Sequence, residues 1–253
     1  MSKQPGLFLA MPHYGPIEAE AAKMFWCASA DADRCERLDA VNYSSSLLAL
    51  AFNTLWCMAL NLREERGYTH FAMLHADIVP EPNWVHTLLE ELEAHKADVV
   101  SAVIPIKNTA GVTSTALGDP YDTFKIDRRL TMHEVDALPF DTFDADALGY
   151  PERALLINTG CWVCDFRKPW VEHVRFTIAD RIKKGDDGVF SPCVSPEDWD
   201  FSRQVRACGG RVFATRKVKA RHFGPHGYPN YSAWGTAQMD HLAAGEPLRC
   251  LKG

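Results

Sequence analysis

Tyr68-Thr-His-Phe-Ala-Met-Leu-His-Ala-Asp-Ile-Val-Pro80 is the stretch on which the reading of this chain turns. Phe71 to Leu74 is an apolar run of strand length, and a polar pair, His75 and Asp77, follows at once. Pro80 and Pro82 stop the strand, because proline has no amide hydrogen to give a sheet ladder. Asn83 stands where a helix cap belongs, ahead of a helix predicted from Trp84 to His95. A buried strand thus delivers an imidazole and a carboxylate to its exposed end, just before a helix. In open α/β sheets ligands sit outside that end of the strands. Asp and His both ligate divalent cations, and such a cation holds phosphate oxygens.

Working outward, the flanking segments read as the rest of an α/β sheet. Leu7 to Met11 is a first strand, ending in a turn at Pro12-His13-Tyr14-Gly15-Pro16. Ile17 to Trp26 has helical spacing, Leu38 to Asn42 reads as a second strand, and Leu47 to Leu62 is a long helix with Asn53 in its middle. Ala97-Asp-Val-Val-Ser-Ala-Val-Ile104 is a fourth strand, apolar enough to be covered on both faces. Strand, helix, strand, helix, strand predicts a mainly parallel sheet flanked by helices. Between Pro105 and Arg153 the chain turns irregular, with short strands predicted at Val112 to Leu117 and Thr123 to Leu130 and an acidic loop from Asp136 to Asp146. Ala154 to Arg167 is apolar and strand-like with Gly160 in its middle, where the backbone comes close to a neighbour or bulges. We read one domain over 1–253, with a first half (1–104), a second half (105–224) and a tail (225–253).

Composition narrows the function classes. Of 253 residues, 47% are hydrophobic and 11% aromatic, enough for a sizeable core. The formal net charge of −6 argues against a chain that binds nucleic acid through its overall field. No apolar run approaches the roughly 20 residues of a membrane helix. The first residues do not read as a signal peptide, so a cytoplasmic location is expected. In that setting the eight cysteines are expected to be free thiols. Cys161-Trp-Val-Cys164 is a lone CxxC in a strand-like run; its cysteines fall on opposite faces, so core thiols are expected.

The second informative stretch is Ser195-Pro-Glu-Asp-Trp-Asp-Phe201. Pro196 suits a helix start, and Glu197, Asp198 and Asp200 crowd the end that favours negative charge. The helix runs to Gly209-Gly210, a strand follows at Arg211 to Thr215, and Arg216-Lys-Val-Lys-Ala-Arg-His222 closes on a histidine.

Taken together, His75-Ala76-Asp77, the Glu197-Asp198 pair and His222 resemble, in order and context, the motifs of GT-A-fold glycosyltransferases. The central motif departs from the family's DxD pattern, with His75 at the first acidic position. The resemblance spans Leu7 to Gly224 and implies a Rossmann-like, mainly parallel sheet and transfer of a sugar from a nucleotide-sugar. It implies a metal site, Mn²⁺ or Mg²⁺, built from Asp77 and His222 with His75 as a third ligand. Asp198, with Glu197, is then the candidate base that takes a proton from an acceptor hydroxyl, which means inversion at the sugar. Pro12, His13 and Tyr14 become donor-site candidates, Tyr14 by stacking on a base, or else they decorate a surface turn. Asn53 either faces the donor or is a buried, hydrogen-bonded asparagine; the Arg that often precedes it in the family is Phe52 here. Ala76 lies inside the motif, Asn158, Thr159 and Gly160 are sugar-side or acceptor-side candidates, and His226 is a phosphate or sugar contact or nothing.

The expected enzyme is thus a hexosyltransferase using a nucleoside-diphosphate sugar, UDP-linked in the first instance, and a hydroxyl acceptor. Two rivals remain. A sugar nucleotidyltransferase shares the layout but begins with a Gly-rich basic loop where this chain has Pro12 to Pro16. A non-catalytic nucleotide- or carbohydrate-binding protein with a degenerate site would account for His75. Arg203, Arg206, Arg211, Arg216, Lys217, Lys219 and Arg221 form a basic run, so a modified DNA base is a further acceptor class.

Overall fold

The computed structural model describes residues 5–30 and 35–238. The chain opens with β1 (Gly6–His13), α1 (Ala19–Ala30), β2 (Arg37–Ser44), α2 (Leu48–Arg66) and β3 (His70–Leu74). A short strand β4 (Ile78–Pro80), helix α3 (Trp84–Ala94) and β5 (Val99–Ala102) follow. The middle of the chain gives β6 (Val112–Gly118), β7 (Ile126–Thr131), α4 (Met132–Ala137), β8 (Thr142–Phe143), β9 (Ala154–Leu156) and β10 (Cys161–Asp165). The last part supplies the hairpin strands β11 (Ala179–Lys184) and β12 (Phe190–Ser195), α5 (Glu197–Ala207), β13 (Val212–Thr215), β14 (Ala220–Phe223) and β15 (Gly227–Pro229).

Seven strands form one central sheet in the order β2-β1-β3-β10-β5-β13-β8. β1 is parallel to β2 and β3, and β13 is parallel to β5; β10 is antiparallel to both its neighbours, and β8 to β13. The sheet is therefore mixed and mostly parallel, with helices on its faces. Its two-residue period sorts the core. Phe71 and Met73 face one apolar cluster with Trp56, Trp162, Phe176 and Phe201, while Ala72 and Leu74 face another with Phe25, Trp84 and Leu88. The same alternation sends Cys164 to the first cluster and Cys161 to the second, so the CxxC holds two buried core thiols whose ionisation burial opposes.

Several local expectations need correction. The apolar stretch Ala154 to Arg167 is two strands, not one: β9 joins β6 and β7 in a small sheet, β10 enters the central sheet, and Asn158 to Gly160 turn between them. β1 runs on through Pro12 and His13, which pair with Tyr43 and Ser44, so only Tyr14 to Pro16 are turn. The acidic stretch after α4 contains β8, which closes the sheet's edge. Asn83 precedes α3, but its side chain makes no capping bond. Because β10, β13 and β8 come from after residue 104 yet sit in the same sheet as β1, the halves read from sequence share one core.

Candidate functional site

The connection from β3 to β4 carries His75, Ala76 and Asp77 at the carboxyl end of the parallel strands. β4 leaves the central sheet to pair with β14, setting Ile78 opposite His222. The amide of Phe223 donates to the Asp77 carbonyl at 2.7 Å, locking the two segments together. His222 Nε2 thereby stands 3.5 Å from Asp77 Oδ2, while its Nδ1 meets the Pro105 carbonyl at 2.7 Å. With Nδ1–H donating to that carbonyl, Nε2 is turned toward the carboxylate, so the ring and Asp77 point at one spot, as a ligating histidine and carboxylate do.

Lys107, which the sequence does not flag, completes this cluster. Its Nζ reaches Asp77 Oδ2 at 2.5 Å, from the loop after β5. Burial works to raise the Asp77 carboxyl, but the hydrogen bonds and charges of His222, His75 and Lys107 overcome it and hold the group well below the usual carboxylate range. His75 is pulled down to about 4, chiefly by burial, and is neutral at pH 7. Its Nε2 is covered from solvent without a hydrogen-bond partner, and its ring lies 5.0 Å from that of Phe52.

The Asn158-Thr159-Gly160 turn lies against this cluster. The His75 amide donates to the Gly160 carbonyl at 2.7 Å, and Asn158 Oδ1 accepts from the Gly160 amide at 2.7 Å. A Cβ at Gly160 would lie 2.3 Å from Ile78 Cδ1, 2.6 Å from Asn158 Oδ1 and 3.2 Å from His75 Nδ1, so the close approach read from sequence is real. The Thr159 hydroxyl is buried and unpartnered. Ala76 is tied to the segment after β1 through the Glu18 amide, 2.9 Å from its carbonyl.

The Glu197-Asp198 pair opens α5 as expected, and both side chains are buried. Asp198 Oδ1 accepts from the Trp199 amide at 2.8 Å. Burial, then the Glu197 charge beside it, pushes the Asp198 carboxyl well up, and burial raises Glu197. Ser202 connects this helix to the site: its hydroxyl donates to the Asp198 carbonyl at 2.7 Å and accepts from the Ile157 amide at 3.1 Å, one residue before the Asn158 turn.

The remaining sequence candidates are engaged elsewhere or exposed. Asn53 is spent on structure, its amide bonding the Phe176 backbone in both directions at 2.7 and 2.9 Å. Tyr14 is 74% exposed, and His13 Nδ1 meets the Gly15 carbonyl. The His226 ring packs 4.7 Å from Tyr228, which stacks on Trp234. The basic run Arg203 to Arg221 does not act as one face: Arg203 and Arg211 bond backbone carbonyls, Arg216 pairs with Asp141, and Lys217 with Glu91. Among the described residues no three His, Cys, Asp or Glu side chains already stand as a metal cluster, and no helix is long and apolar enough to cross a membrane.

The fold and this site define an α/β protein with a charged cluster at the carboxyl edge of a mostly parallel sheet. No protein-family model matches the chain, and no curated protein does. Among solved structures it is similar to "Crystal Structure of A197 from STIV", at a TM-score of 0.52 and 15% identity over 87% of this chain and 86% of that one. That likeness supports the fold alone. Weaker likenesses are to apo-UDP-glucose pyrophosphorylase (TM-score 0.35, 11% identity, 75% of this chain and 59% of that one) and to UDP-glucose pyrophosphorylase complexed with UDP-glucose (0.37, 11%, 85% and 92%), too low to argue from.

Proposed function

We propose that this chain is a glycosyltransferase that moves a sugar from a nucleoside-diphosphate sugar, UDP-linked in the first instance, to a hydroxyl acceptor. The observation that carries the reading is the pairing of β14 with β4, which brings His222 to Asp77 at the carboxyl end of the sheet. Two groups from distant parts of the chain converge where such sheets bind ligands.

Asp77 and His222 have the chemistry to hold Mn²⁺ or Mg²⁺, with donor phosphate oxygens filling the remaining positions. A bound cation would act as a Lewis acid on the diphosphate. Lys107 compensates the Asp77 charge in the meantime and is placed to turn its ammonium to a phosphate. The Asn158-Gly160 turn presents backbone and a free hydroxyl beside the donor. Asp198, its pKa raised, takes the proton of the acceptor hydroxyl as that oxygen forms the new bond to the anomeric carbon. The bond to the diphosphate breaks, its electrons leaving with the phosphate oxygen. Attack of this kind inverts the sugar.

Calorimetric titration with UDP, with and without Mn²⁺, tests the donor site. Metal-dependent binding is expected, and Asp77→Ala should abolish it while costing roughly 3 kcal/mol of transition-state stabilisation in sugar transfer. Wild-type turnover in Asp77→Ala would sink the assignment. The Lys107–Asp77 ion pair favours a second reading, in which the lysine replaces the metal. UDP binding that ignores Mn²⁺ but is lost in Lys107→Met would select it. Binding without turnover of any nucleotide-sugar would leave a non-catalytic binding protein.

A further inference from the structure

The β11–β12 hairpin is not used by the chemistry proposed above. Its register sets Asp180 opposite Val194, Ile182 opposite Pro192, and Lys184 opposite Phe190. Directly opposed residues of an antiparallel pair share a face, so these six side chains form one side of the ribbon. All six are exposed, with Ile182 at 77% and Phe190 at 67%. The opposite side is turned toward the body: the Arg181 guanidinium lies 4.1 Å over the Phe124 ring, and Ser195 is buried.

The order of charges on the exposed side says what covers it. The acid stands at one end and the base at the other, on the same strand, with Ile182 midway between them. Let a second copy be turned by half a revolution about an axis lying in the face and running across the strands through Ile182 and Pro192. Asp180 then meets Lys184 of the second copy, and Lys184 meets its Asp180. Ile182 and Pro192 meet their own counterparts, and Val194 meets Phe190. One operation pairs both charges and covers the whole apolar strip. A face carrying one sign of charge would repel its copy under the same rotation.

We infer that this hairpin is a self-association surface, through which two copies of the chain pack face to face about a two-fold axis. Six residues a side is small against the roughly 20–30 of a standard interface, so the pair separates on dilution.

Sedimentation velocity of the full chain, over a range of concentrations at low salt, tests this. The mass is expected to rise from the 28.3 kDa monomer toward twice that value. Ile182→Arg should abolish association. Asp180→Lys and Lys184→Asp should each weaken it at least about tenfold, because each turns both symmetry-related charge pairs repulsive. The double exchange, Asp180→Lys with Lys184→Asp, should restore it. These positions are exposed, and unchanged circular dichroism will show that each variant is folded. A monomer at every concentration, a dimer indifferent to Ile182→Arg, or charge exchange without rescue would each overturn the inference.

Discussion

A methyl group at position 160 has nowhere to go. The atoms around the missing Cβ belong to Ile78, Asn158 and His75, which are the walls of the candidate site. Gly160→Ala should therefore cost stability of about 1–3 kcal/mol in urea unfolding and weaken nucleotide binding in the same variant. Asp198 poses the opposite case, a group the fold would be more stable without. Its carboxyl is raised by burial and by the Glu197 charge, so the folded chain binds a proton that the unfolded chain releases. That stabilises the fold at low pH and is lost as pH rises through the raised value. Asp198→Asn keeps the acceptor for the Trp199 amide, so it should gain stability at pH 8 relative to wild type, a difference that vanishes near pH 4. The same variant should lose roughly 10²–10⁴ in transfer rate. Glu197→Gln removes one cause of the raised pKa, so the acid limb of kcat/KM should move to lower pH. A limb that stays in place would separate Asp198 from the proton transfer.

Among the elements, α2 does the most to organise the aromatic core. Trp56 packs edge-on to Phe71, Phe166, Phe176 and Phe201, and its indole Nε1 donates to the Val171 carbonyl at 2.9 Å. One turn earlier, Asn53 clamps the Phe176 backbone. Those two bonds root the segment that becomes the β11–β12 hairpin. Asn53→Leu should cost about 1–3 kcal/mol through the unpaired backbone groups left behind. It should also speed proteolytic cleavage within 177–195, while leaving nucleotide affinity near wild type. Equal loss of both would return Asn53 to the donor site. Elements of this kind were legible in the sequence to different degrees. The helices announce themselves by period, and the parallel strands of the sheet's interior by continuous apolar runs, because those strands are buried on both faces. β8 does not, since two residues inside an acidic stretch carry no pattern. α4 had a written signal, Thr131 and Glu134 in a reciprocal capping box, but too short a run to show a helical stripe.

At the scale of the whole molecule, two histidines oppose Asp198 in the response to acid. His70 and His75 are both held near 4, chiefly by burial, against an ordinary value near 6.5. Between those values the unfolded chain binds protons that the folded chain refuses, so the histidines' contribution is full above about pH 6.5 and is lost toward pH 4. The histidine contribution is read as a difference: lowering the pH from 7 to 5.5 and 4.5 should cost His70→Gln less, in urea midpoint, than it costs wild type, while the buried Asp198 carboxyl works in the opposite direction in both. The candidate site divides along similar lines. His75, Asp77, Glu197, Asp198 and His222 could be picked out because each ends or opens a patterned element. Lys107 could not: a lone lysine in a loop has no period, and only the path of the chain after β5 brings it to Asp77. Nor could the sequence place β10, because strand order is decided by partners far away along the chain.

That placement of β10 has a consequence for synthesis. Its partners in β3 lie roughly 90 residues upstream, a separation typical of slow-folding topologies. While the chain is still being translated, β3 and β5 emerge with a vacant lane between them, each presenting an unpaired edge to its surroundings. The nascent protein must hold that lane open until Asp165 has left the ribosome. A chain stalled earlier offers two templates for mispairing, which makes the first two-thirds of translation the interval when chaperone cover matters most.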